Sequence, residues 1–231
     1  MKTLVYLLSV VFLVSFVAFP KDQKSSTSKD PLATKVAQAY GVSSFSKVKS
    51  IEFTFNVDFG KNRKVARSWI WDPQTNQVTY DGPGQDGKEM KYSYNRNKLD
   101  TSNKKEKSID AKFINDSYWL LFPFHLAWDN NVNITNEGQK SLPIGNGKET
   151  MLTVQYENNV GYTPDDAFDL YINKNDMITE WVYRHGGSET HKAPFTWQDN
   201  KKFGNITIST SHYGADKKGK IWFSGVKVNF M

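Results

Sequence analysis

The sequence predicts a β-dominated α+β fold, a large antiparallel sheet carrying two short helices. Three observations predict it. Residues 51–59 alternate without a break, with Ile51, Phe53, Phe55, Val57 and Phe59 apolar and Glu52, Thr54, Asn56 and Asp58 polar between them. That period of two is the mark of a half-buried strand. Clusters of Gly, Asn, Asp and Pro recur between further runs of this kind, the rhythm of a hairpin meander. Only two stretches carry helical spacing.

In chain order, residues 1–20 come first. Lys2 precedes an uncharged run from Thr3 to Pro20, the pattern of an export signal. Ala18 is the small residue at which a cut would fall, yet Phe16 breaks the small-x-small pattern, so an uncleaved N-terminal anchor stays open beside a released domain. Residues 21–29 are polar and read as a flexible tether. Residues 30–231 then form a single antiparallel β domain, long enough to bury a core without covalent staples. Asp30-Pro31 opens the first helix, with Leu32, Val36, Ala39 and Tyr40 on one face and Gly41 as its stop. Strands follow at 51–59, 63–72, 77–80 and 88–95, separated by turns at 60–62, at Asp72-Pro73 and at 81–87. A second helix is expected over 109–121, capped by Asp110 and ended by Pro123. It runs into the most apolar stretch of the domain, 118–128, readable either as a helix plugging the sheet or as an apolar loop. Later strands are expected at 151–157, 168–173, 177–184, 206–212 and 221–230, for eight to eleven in all.

Composition narrows the chemistry. With no cysteine there is no disulfide, thiolate nucleophile, Cys-ligated metal or lipid-bearing cysteine. The net charge of +6 is scattered. Lys104-Lys105, Lys201-Lys202 and Lys217-Lys218 each sit beside turn residues and read as solvated lysines, so no nucleic-acid partner is expected. An anionic membrane surface is the one charged partner the sequence leaves open. His125, His185, His191 and His212 lack metal-ligand spacing and read as surface loop residues. No serine-nucleophile elbow or phosphate loop occurs, and 81–89 reads as a Gly/Pro turn, not a calcium loop. No metal and no cofactor is expected. Asp165, Asp166 and Asp169 cluster before a strand, where turn chemistry competes with acid–base work. The sequons at Asn115, Asn133 and Asn205 decide nothing.

The aromatics remain, 14% of the chain with seven Trp and eleven Tyr. Trp69 with Trp71, Tyr92 with Tyr94, and Trp181 with Tyr183 are i, i+2 pairs, each on one face of its strand. Trp119 and Trp128 add to that surface from the apolar middle. Two readings stand: core beneath the helices, or the lining of a cavity for an apolar ligand.

Taken together, the export segment, the helix-to-strand run 32–59, the end of the second strand at Trp69-Ile70-Trp71-Asp72-Pro73 and the central helix up to Pro123 resemble the lipoprotein-localisation (LolA/LolB-type) superfamily of envelope proteins. The resemblance implies a sheet curved into an open half-barrel with helices over one face. It also implies an apolar or lipid-like ligand held in the concavity without catalysis, and a periplasmic or secreted location. Arg67 is the nearest match to the arginine those carriers place on an early strand. The expected ligand-binding residues are therefore Arg67, Trp69, Trp71, Tyr92, Trp119, Trp181 and Tyr183. The other functions open to the sequence are an exported hydrolase acting on carbohydrate, which would need carboxylates such as Asp169 and Glu180 facing one another across a cleft, and an assembly module without a ligand.

Overall fold

The computed structural model describes residues 30–60, 64–84, 86–130, 132–157, 164–216 and 219–231. The expected export segment and tether, the heart of the 60–62 turn and Lys217-Lys218 lie outside the described residues. Helix α1 (Pro31–Ala39) begins as its sequence dictates: the Asp30 carboxylate accepts from the Leu32 and Ala33 amides, and Pro31 occupies the first turn. Its buried face is Ala33, Val36, Ala37 and Tyr40, whereas Leu32 is only half-buried and Ala39 is exposed. Gly41 ends it at φ +88°, and a Cβ there would stand 2.1 Å from the Asn205 carbonyl oxygen. Glycine thus lets α1 approach the turn at 204–205.

Twelve strands follow among the described residues: β1 (Val48–Asp58), β2 (Lys64–Asp72), β3 (Gln77–Pro83), β4 (Glu89–Asn95), β5 (Val132–Ser141), β6 (Lys148–Tyr156), β7 (Ala167–Ile172), β8 (Ile178–Arg184), β9 (Lys192–Thr196), β10 (Gln198–Phe203), β11 (Ile206–Tyr213) and β12 (Lys220–Phe230). All pairings are antiparallel. A seven-stranded sheet runs β10-β11-β12-β1-β2-β3-β4 and a five-stranded sheet runs β5-β6-β7-β8-β9. The chain passes from one sheet to the other through Trp197, between β9 and β10, and a single bridge from Phe195 to Gly214 ties the sheets beside it. Neither sheet closes into a barrel. The fold is the β-dominated, open antiparallel architecture that the sequence predicts.

Three strands escape the sequence reading, for two reasons. On β5 and β10 nearly every side chain is exposed or half-exposed, so no apolar face alternates, and β9 carries Pro194 opposite Val182. The lysines Lys201 and Lys202 therefore lie on an exposed strand, not in a turn, and Lys104-Lys105 open a helix.

That helix, α2 (Lys104–Trp128), is longer than the expected 109–121. Asn103, not Asp110, is its cap, accepting from the Lys105 and Glu106 amides. Pro123 does not end it. Lacking an N–H for the Trp119 carbonyl, Pro123 instead breaks the helix at Leu121, where φ is −122° and ψ 15°, and the chain continues helical to Trp128. The apolar stretch 118–128 is thus helix, not loop. Among the described residues no helix is long and apolar enough to cross a membrane. The inward side chains Phe53, Phe55, Trp69 and Tyr80 from the larger sheet, and Leu152, Phe168, Leu170 and Trp181 from the smaller one, meet α1 and α2 in one continuous core.

Candidate ligand-binding site

The inner face of the seven-stranded sheet holds α2 by its carboxylates. Asp116 is fully buried and takes two hydrogen bonds from Arg67, Nε to Oδ2 at 2.8 Å and Nη2 to Oδ1 at 2.5 Å. The Trp69 indole N–H donates to the same carboxylate at 2.8 Å. Burial raises the Asp116 carboxyl above its ordinary range, against the opposing pull of the Arg67 guanidinium. One and a half turns earlier, Asp110 accepts from the Tyr94 hydroxyl and from Arg96 Nε, both at 2.8 Å. A further turn back, Glu106 accepts from the Tyr92 hydroxyl at 2.9 Å and from the Asp100 amide. Glu106 and Asp110, four residues apart, share one face of the helix, and Asp116 lies about 120° around from Asp110, toward β2.

The side of α2 facing the five-stranded sheet is aromatic. Trp119 meets Trp181 edge-on at 4.4 Å and Phe195 at 4.9 Å. Beyond the break, Phe122 packs on Phe168 at 4.7 Å and on Trp181 at 5.3 Å. Phe168 in turn stacks on Trp181 at 5.2 Å and lies 5.4 Å from Tyr183. The concavity expected behind these rings is filled by α2. At the helix's last turn Asp129 gathers the Tyr118 and Tyr156 hydroxyls and His125 Nδ1.

The surface opening lies elsewhere, beside Trp128 at the end of α2. A groove of about 400 Å³ is walled by Val42, Phe45, Trp71, Pro73 and Trp128, with Ser46 and Gln74 as its polar members. Phe45 is buried and lies 4.5 Å from Trp128 and 6.0 Å from Trp71, both half-buried, so it forms a floor between two indole walls. No charged side chain lines the groove. A smaller, polar hollow of about 190 Å³ lies on the outer face of the larger sheet, among Glu52, Thr54, Ser68, Asp81 and Lys91.

The seven residues expected to bind ligand thus fall into three sets. Trp71 lines the groove. Arg67, Trp69 and Tyr92 are bonded to α2's carboxylates. Trp119, Trp181 and Tyr183 belong to the aromatic side. Phe45 and Val42, in a 3₁₀ turn (Val42–Lys47) after α1, escaped notice because the turn carries no periodic pattern. The other candidates are structural. His212 is not a loop residue but fully buried on β11; burial, opposed by the nearby Thr196 and Trp119 carbonyls, holds its pKa down to about 3. Asp169 and Glu180 lie on the outer face of the smaller sheet and do not confront each other across a cleft. Asp169 is taken by Thr153 and Arg184, and Glu180 by the amides of Ile144 and Gly145. Asp165, at φ +64°, is a turn residue, and Asp166 is bonded to the Tyr183 hydroxyl and the Gly186 amide. Among the described residues no group of three or more His, Asp or Glu side chains is placed to hold a metal ion.

No protein-family model matches the chain, and no curated protein matches it. Among solved structures the fold is similar to a LolA superfamily protein from Nitrosomonas europaea, with a TM-score of 0.48 and 7% identity, over 86% of this chain and 94% of that one. It is also similar to a DUF1329 family protein from Desulfovibrio piger, with a TM-score of 0.41 and 11% identity, over 87% and 94% respectively. At these scores the likeness concerns the path of the chain and says nothing of ligand or reaction.

Proposed function

We propose that this is an exported envelope protein that binds an apolar, lipid-like ligand and catalyses no reaction. The observation that carries the reading is the uncharged groove between Trp71 and Trp128, floored by Phe45. Indole walls bury acyl surface well, at about 0.8 kcal/mol for each CH₂ removed from water. The groove adjoins the second segment of α2, and the rings behind that segment pack against one another without a polar clasp apart from Asp129. An acyl chain would lie in the groove across Phe45, between the indoles of Trp71 and Trp128. Titration of the purified protein with a fluorescent fatty acid tests the reading. Saturable binding that weakens in Trp71→Ala supports it. Absence of saturable binding by the folded wild-type protein rejects it.

A further inference from the structure

One wall of the groove stands on the last residue of α2, Trp128. Helix ends open at little free-energy cost, so a wall placed there keeps its position only if something beyond the helical ladder holds it. The carboxylates that tie the helix to the larger sheet, Glu106, Asp110 and Asp116, all lie before the break at Leu121 and hold the segment ahead of it. The rings packed on Trp128 are weakly directional: Phe124 stacks on it at 5.5 Å, and Phe45 meets it edge-on at 4.5 Å.

A polar clasp does act beyond the break. Asp129 follows Trp128 directly, and its carboxylate accepts from the Tyr156 hydroxyl of β6 at 2.5 Å and from the Tyr118 hydroxyl at 3.2 Å, and pairs with His125 Nδ1 at 3.0 Å. Its backbone N–H donates to the His125 carbonyl. Bonds onto an ionised acceptor are roughly twice as strong as neutral ones and are directional. They reach Trp128 by two routes. The Cα atoms of Trp128 and Asp129 are about 3.8 Å apart across one peptide, so fixing the second residue fixes the first. The His125 ring, packed on Tyr118 at 4.1 Å, also meets the Trp128 indole edge-on at 5.4 Å. Asp129 itself is not part of the groove lining. We propose that Asp129 is the positioning residue of the groove, holding Trp128 at the spacing from Trp71 that an acyl chain needs. The proposal rests on the apolar-ligand reading and adds the group that sets the width of the site.

A double-mutant cycle on the full chain separates positioning from general loosening. The probe is 11-(dansylamino)undecanoate, titrated by its fluorescence. Asp129→Asn keeps the shape of the side chain but turns one accepting oxygen into a donor, and should weaken the probe about fivefold, one net hydrogen bond's worth. Tyr156→Phe, a gentler cut at the same clasp, should weaken it about twofold, and it carries the cycle if Asp129→Asn does not fold. In the Trp128→Ala background neither change should weaken the probe further, because the wall they position is gone. Tyr94→Phe, which removes a hydroxyl–carboxylate bond on the other side of the helix, should leave affinity as it is. Equal weakening with and without Trp128 overturns the positioning role, and so does equal weakening by Tyr94→Phe. Unchanged affinity in both clasp variants overturns it as well and leaves the apolar-ligand reading standing. If the folded wild-type protein does not bind the probe saturably, that reading fails and the positioning role with it.

Discussion

Along the seven-stranded sheet, α2 is held by Glu106, Asp110 and Asp116, each bonded to named hydroxyl, indole or guanidinium groups on β2, β4 and Arg96. Along the five-stranded sheet the same helix is held mainly by rings, with Asp129 as its polar contact to Tyr156 of β6. Directional bonds fix one register and one depth, whereas aromatic contacts tolerate sliding at little cost. The larger sheet therefore sets where α2 sits, and the smaller sheet meets it through less directional contacts.

That contrast is open to attack, beginning with the polar side. Asp116→Ala leaves Arg67 beneath the helix without its counterion and is expected to remove about 3–5 kcal/mol of stability, read as a lower midpoint in urea unfolding. The double variant Arg67→Met/Asp116→Leu should recover most of that loss. If the single variant costs no more than a surface substitution, the carboxylate does not anchor α2.

The aromatic cluster of Trp119, Trp197 and the β11 residue His212 has a pH signature of its own. Because His212 titrates near 3 when folded and near 6.5 when unfolded, only the unfolded chain takes up its proton between those values. Stability should therefore fall as pH drops below 6.5, by about 1.4 kcal/mol per pH unit from this group alone. In His212→Phe that share of the slope should vanish when urea unfolding is compared at pH 6.5, 5.5 and 4.5; parallel slopes would remove the assignment.

Smaller effects sharpen the boundary between the two sides. Trp128→Ala takes away one wall of the groove and should weaken acyl-probe binding about tenfold, roughly 1.4 kcal/mol of buried apolar surface, with Tyr94→Phe leaving that affinity untouched. Tyr94→Phe in turn should cost about 1 kcal/mol of stability, the net worth of its bond to Asp110. The cost stays small because Arg96 still pairs with that carboxylate. Calorimetric titration and thermal unfolding of the two variants side by side would show whether binding and anchoring separate.

Much of the scaffold was legible in the residues. The alternation through Phe53 and Phe55 announces β1, and Asp30, Pro31 and Gly41 delimit α1 to the residue. The aromatic i, i+2 pairs point inward as expected. What could not be read is whatever depends on a partner far along the chain. Nothing local distinguishes Asp110 as a buried ligand of Tyr94 and Arg96 from Asp110 as a cap, and His212 looks like any strand-end histidine until Trp119 and Trp197 close over it. The groove is equally hidden, since Phe45, Trp71 and Trp128 come from three separate elements.

The sequence by itself determined the class of fold and the chemistry available to it. Period-two patterning compels strands with one apolar face, and the absence of cysteine removes thiol chemistry and disulfides. Only the tertiary structure decided that the concavity is filled. Helix α2 is apolar on one side and acidic on the other, a pattern that suits several positions in isolation. It settles between the sheets because one surface supplies donors for its carboxylates and the other supplies rings for its aromatics.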